Sequence, residues 1–184
     1  IGSAVMTYTV SASPCSDATG SKIVNVTNDF LTSGSSSNWS SASAWVGGVV
    51  PSASADVTIS HDVTVDANTN TLATLTVDGS KTLTVAIGNT ITVSGASYVN
   101  GIISVTGNYD ANGESDVNGT ISVTGTYDAN GHFDGTGGNI AISTDGSLQL
   151  GSTVTSLGTL DNSQGTVIYD GSIAQNIASG TYYN

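Results

Sequence analysis

The chain has 184 residues and a formal charge of −12, with 14 acids, no arginine and two lysines, Lys22 and Lys81. With so little to neutralise phosphates, a nucleic-acid partner is excluded and an anionic membrane surface disfavoured. No run of about 18 apolar residues is present to insert a helix into a bilayer, and Cys15, the single cysteine, leaves no intrachain disulfide and reads as an incidental thiol or an intermolecular bridge.

Ala4–Val10 alternates in polarity and reads as a strand, Ser11–Ser21 as a turn, and Lys22–Phe30 as a second strand. Such leading strands are expected to cover the first coil of a solenoid, or to pair with a neighbouring molecule. Thr32–Ile59 holds both tryptophans, Trp39 and Trp45, beside a serine-rich loop. Two indoles there suit a plug over an apolar end, and less well a sugar-stacking platform. Residues 1–55 are therefore expected to form an N-terminal strand and capping segment. From Val57 onward apolar pairs recur, at Val57/Ile59, Val63/Val65, Leu75/Val77, Leu83/Val85 and Ile91/Val93, with turn residues between them.

Between Gly95 and Gly137 glycine falls at every sixth residue. Asn100–Val117 and the adjoining Asn118–Gly135 match at 13 of 18 positions. Through this stretch the odd positions carry no charge, whereas the even ones are polar apart from Ala96, Tyr98 and Ile102. Strict alternation means extended chain with one face buried and one wet. Three hexads per block give a three-sided coil, with the repeated glycine inward at the end of each side. Either a Cβ would crowd the axis there, or the bend needs a backbone only glycine adopts easily. The fold class is all-β: a single-stranded, triangular parallel β-helix of about 18 residues per coil, spanning 56–184. Ile140/Ile142, Leu148/Leu150, Leu157/Leu160 and Val167/Tyr169 continue it with shifted register. The whole allows roughly seven coils, or about 34 Å of stack.

Stacking the blocks sets Asp110 beside Asp128, and Glu114 and Asp116 against His132 and Asp134. Two carboxylates about 5 Å apart repel by roughly 1 kcal/mol in water, so splayed side chains, salt, a raised pKa or a bound cation must relieve them. Oxygen-only clusters suit calcium, and the candidate positions are Asp110, Asp128, Glu114, Asp116 and Asp134. No other cofactor is expected. Catalysis is not expected either. His61 and His132 stand apart, no Gly-x-Ser-x-Gly, His-Glu-x-x-His or P-loop occurs, and Asp110/Asp128 are too close for inverting glycoside hydrolysis. Glycans could stack on Tyr98, Tyr182 or Tyr183. Ser104 and Thr106 over Ser122 and Thr124 form a hydroxyl ladder of the kind seen on ice-binding β-helices.

NWSSASAWVGGVVPSASADVTISHDVTVD (Asn38–Asp66) resembles the opening of β-helical domains in large secreted, adhesin-like proteins of the Bacteroidetes type. GTVIYDGSIAQNIASGTYYN (Gly165–Asn184) resembles a segment that recurs in the same proteins. The resemblance implies a bacterial cell-surface or extracellular location, often by type IX export. It also favours a right-handed coil, although strict hexads alone fit either hand. The expected role is structural: a surface adhesin segment, or the subunit of an extracellular filament built by head-to-tail stacking. The expected partners are further copies, other surface proteins or glycans. The competing expectation is a carbohydrate-binding or carbohydrate-processing domain.

Overall fold

A computed structural model describes residues 2–10, 18–26, 28–35, 37–161, 164–180 and 182. Cys15 and Tyr183 lie outside the described residues. Two leading strands, β1 (Gly2–Val10) and β2 (Ala18–Val26), pair with each other as an antiparallel two-stranded sheet, Gly2 opposite Val26 and Val10 opposite Ala18.

The remaining strands build three parallel sheets, one per side of a triangular solenoid. The first face is β3 (Asp29–Leu31), β4 (Asp56–Ile59), β6 (Thr74–Val77), β9 (Ser97–Val99), β12 (Ser115–Val117), β15 (Phe133–Asp134) and β18 (Val154–Ser156). The second is β5 (Val63–Val65), β7 (Thr82–Val85), β10 (Ile102–Val105), β13 (Thr120–Val123), β16 (Asn139–Ile142) and β19 (Thr159–Asp161). The third is β8 (Thr90–Val93), β11 (Asn108–Ala111), β14 (Thr126–Ala129), β17 (Ser147–Leu150) and β20 (Thr166–Tyr169). The stack makes about 6 turns of roughly 19 residues rather than seven of 18, because residues inserted at several corners lengthen the outer coils.

Alternation decides which side chains enter the core. Val57, Ile59, Leu75, Val77, Leu83, Val85, Ile91, Val93, Ile103 and Val105 are all buried, and the residues between them within each strand face out. Each such side chain removed from water contributes about 1.5–3 kcal/mol. Tyr109 and Tyr127 stack ring on ring in the same core, 4.6 Å apart and 4° from parallel. Their hydroxyls cross it from the third face to the first. Tyr109 donates to Ser97 Oγ at 2.8 Å and Tyr127 to Ser115 Oγ at 3.1 Å. In the next coil the sizes exchange: Phe133 lies above Ser115, and Leu148 above Tyr127.

The hexad glycines meet the coil beneath them, not the axis. A Cβ on Gly119 would overlap the carbonyl oxygen of Gly101, and one on Gly131 that of Gly113. Left-handed backbone is not the reason, since neither has a positive φ. Gly137 corrects the six-residue reading. It is exposed, at φ 85°, and Gly138 takes the inward place. The extra residue closes a turn in which Gly138 N donates to Gly135 O at 2.9 Å. Thr120 consequently pairs with Asn139, and the buried positions shift from odd to even at Ile140, Ile142, Leu148 and Leu150.

The tryptophans plug the first turn. Trp39 and Trp45 are each 2% exposed, their rings 4.7 Å apart and edge to face, and Phe30 meets Trp45 edge-on. Trp45 Nε1 donates to Trp39 O at 2.9 Å, so the buried indole N–H is satisfied. Burial of both rings removes the sugar-platform reading. The polar groups at this end are also paired. Thr32 Oγ1 accepts from the Ser60 and His61 amides, and Ser40 donates through N and Oγ to the Asp66 carboxylate.

Candidate functional site

The outward rows are where chemistry is presented, because parity turns most polar side chains of the described strands toward solvent, apart from buried Thr32, Ser97 and Ser115. On the third face the central row reads Thr92, Asp110, Asp128, Gln149 and Ile168. Asp110 and Asp128 therefore stack in register, as the repeat implies. Their surroundings differ. Asp128 is half-buried, its Oδ1 is enclosed without a hydrogen-bond partner, and burial raises its pKa above the ordinary carboxylate value. Asn130, which donates to Asp110 Oδ1 at 3.3 Å, opposes that rise, while the charges of Asp110 and Asp170 add to it.

On the first face the central row reads Thr58, Thr76, Tyr98, Asp116 and Asp134. Asp116 and Asp134 are in register, and Glu114 is exposed at the corner ahead of β12. The five candidate carboxylates thus divide between two faces. Asp134 accepts from Thr136 N at 2.9 Å, and bonding to Thr136 holds its pKa below the ordinary value. His132 is engaged elsewhere, its Nδ1 2.8 Å from Thr153 Oγ1 and its Nε2 3.1 Å from Thr155 Oγ1. A calcium ion on the Asp110/Asp128 row would find two carboxylates and the Asn112 and Asn130 amides, a sparse set for an ion that takes about six to eight oxygens. Among the described residues no group of three or more His, Cys, Asp or Glu is arranged to hold a metal.

The second face carries the hydroxyl ladder, and it is longer than the repeat alone indicates. Thr64, Thr84, Ser104 and Ser122 form one row, followed by Ala141. From β7 to β16 no strand of this face carries a charge.

The tyrosines separate. Tyr98 is 43% exposed on the first face, between Thr76 and Asp116. Tyr182 instead closes the last coil, its hydroxyl 3.0 Å from that of Tyr169 and donating to Ala178 O at 2.7 Å. Sequence reasoning missed Gln175. Its amide nitrogen donates to Leu150 O and Ser152 O at 2.7 and 2.6 Å, and its oxygen accepts from Gly171 N. Gln175 thus stands in for the backbone of a further coil at that corner. A glutamine in a segment without alternation gives no signal of that role.

Among the described residues no helix is long and apolar enough to cross a membrane. Comparison with protein-family models, curated proteins and solved structures gave no match.

Proposed function

We propose that this protein is a structural element of the bacterial cell exterior, a segment of a surface adhesin or the subunit of an extracellular filament. One observation carries the reading. A single core runs the length of three parallel sheets, is plugged by Trp39 and Trp45 in the first turn, and ends at β18, β19 and β20, whose outer edges pair with no described strand. Parallel strand edges are templates for another chain. A stiff rod whose last strands keep unpaired edges beside the Gln175 and Tyr182 contacts suits a spacer or a unit that stacks on further copies. The acidic exterior keeps such rods soluble and apart. The motifs at Asn38–Asp66 and Gly165–Asn184 add the secreted, Bacteroidetes-like setting to this reading.

Electron microscopy and size-exclusion chromatography of the purified chain test it. Filaments, or oligomers that grow with concentration, support the filament form. A strict monomer at high concentration leaves the adhesin segment and removes the filament. Calcium on the Asp110/Asp128 row or the Glu114/Asp116/Asp134 row would fit the same surface role. A melting temperature that responds to calcium and chelator supports it, and an unchanged one removes it.

A second reading is favoured by Tyr98, an exposed ring in the middle of a flat face with Asp116 beside it. Aromatic faces flanked by carboxylates suit sugar stacking and hydroxyl bonding. Binding on a glycan panel that is lost in Tyr98→Ala supports this reading; a silent panel ends it.

A further inference from the structure

The third face brings one carboxylate into conditions that the others do not share. Asp128 sits directly above Asp110 in the parallel ladder of β11 and β14. Adjacent strands in such a ladder lie about 4.8 Å apart. Directly above Asp128 is Gln149, which carries no charge, and Asp170 comes just after the end of β20 on the same face. The ionisable groups acting on Asp128 are thus Asp110 and Asp170, both acids, with no cation among them. Asn130 offers its amide between the two carboxylates and bonds Asp110. Asp128 Oδ1 is left enclosed and unpartnered, and so is Ser147 Oγ one coil above, on the strand that pairs with β14. An ionised carboxylate can only accept hydrogen bonds; a protonated one can also donate. Among the described residues no donor lies within hydrogen-bond reach of Asp128 Oδ1, and the unpartnered Ser147 hydroxyl above is out of reach as well, whereas the Asp110 carboxylate in the coil below is an acceptor.

We propose that the Asp110–Asp128–Asp170 face is an acid-operated clasp: a proton taken up from solvent by Asp128 turns its enclosed oxygen from an unpaired acceptor into a donor toward the Asp110 carboxylate and ties together the coils of β11 and β14. Uptake also removes one of three like charges. At neutral pH the unmet oxygen and the repulsion loosen the stack at this coil; in mild acid both are relieved. The sign is set by linkage. A carboxyl whose pKa is higher folded than unfolded adds stability that is complete below the unfolded value and is lost as pH rises through the folded one. Burial is the largest cause of the upward displacement at Asp128, followed after the opposing Asn130 bond by the charges of Asp110 and Asp170. The clasp does not depend on the surface role argued above, and its test reads neither filaments nor glycans.

The experiment is thermal melting from about pH 4 to pH 8 of the intact chain, Asp128→Asn and Glu114→Gln. Glu114 is exposed, and the second variant makes the same change in net charge. Asp128→Asn should melt about 2–4 °C above the unaltered chain at neutral pH, with the gap closing as pH falls. Glu114→Gln should keep the slope of the unaltered chain. Equal profiles for the two variants would mean that total charge is responsible, and the clasp is then wrong. Carbon-detected NMR of the Asp128 carboxyl in the unaltered chain gives an answer even if the variant misfolds. A midpoint above the ordinary value of about 3.9 supports the clasp, and one at or below it overturns the idea.

Discussion

The middle coils and the end coils of this solenoid solve the same stacking problem by different means. In the middle, Ser97 lies under Ser115, Tyr109 under Tyr127 and Ile103 under Ile121, each pair 18 residues apart. Identical side chains stack, and the corner glycines let one backbone rest on the next. At the ends the spacing wanders. Leu75 pairs with Ser97, 22 residues on, and Ser147 with Thr166, 19 residues on. There the core is closed by unlike parts: Trp39 against Trp45 in the first turn, and Gln175 with the Tyr169–Tyr182 pair at the other end. Repetition suffices where every coil has a neighbour above and below. An end has only one neighbour, and single large or polar side chains must supply what the missing coil would have supplied.

Substitutions can test that contrast. Trp45→Ala should have the largest effect, about 3–5 kcal/mol by chemical denaturation, because an almost fully buried indole and its bond to Trp39 O are both lost. A loss under about 1 kcal/mol would mean that the first turn is not plugged by this ring. Gly119→Ala comes next, at about 1–3 kcal/mol, since the new methyl meets the Gly101 backbone, which cannot swing aside as a side chain would. Gly88→Ala is its control. That corner has open space, and the substitution should cost only about 1 kcal/mol, from its φ of 78°. Equal losses at Gly88 and Gly119 would remove coil-to-coil contact as the reason for the hexads.

Ser115→Ala leaves the buried Tyr127 hydroxyl without its acceptor and should cost about 1–3 kcal/mol, with partial recovery in the Ser115→Ala/Tyr127→Phe double variant. At the far end Gln175→Ala should cost about 1 kcal/mol and speed amide exchange first in β17 and β18, not in β11 or β14. The smallest effect belongs to Asp134. Bonding to Thr136 depresses its pKa, so its contribution is present above the ordinary carboxylate range and lost as pH falls through the lowered value. Asp134→Asn should therefore slightly flatten the loss of melting temperature at the acid end of the range, opposite in sense to Asp128→Asn.

The legible part of the sequence was the part under a strict local rule. Tyr109 and Tyr127 face inward and Asp110 and Asp128 outward, as odd and even positions require. Gly137 broke the rule because one added residue in a turn leaves composition unchanged but moves every later side chain by one place. The second-face row looked two or three coils deep when it runs from Thr64 to Ser122. The offsets between Thr64 and Thr84 and between Thr84 and Ser104 are not eighteen, so no repeat marks them. The carboxylate rows were legible as pairs. Their inequality was not, since Asp110 and Asp128 occupy equivalent places in matching blocks.

Period and parity belong to the chain alone. They determined an extended backbone, three sides, the residues that enter the core and the acids that remain outside, because a strand has only two faces and each apolar row can be buried on just one of them. Tertiary structure decided what depends on the coil above or below: glycine against a carbonyl, tyrosine reaching serine across the core, indoles sealed in the first turn, and one aspartate with an unpartnered oxygen while its twin accepts from Asn130. Those are contacts between residues distant in sequence, and their distances are set by insertions that only the assembled stack can count.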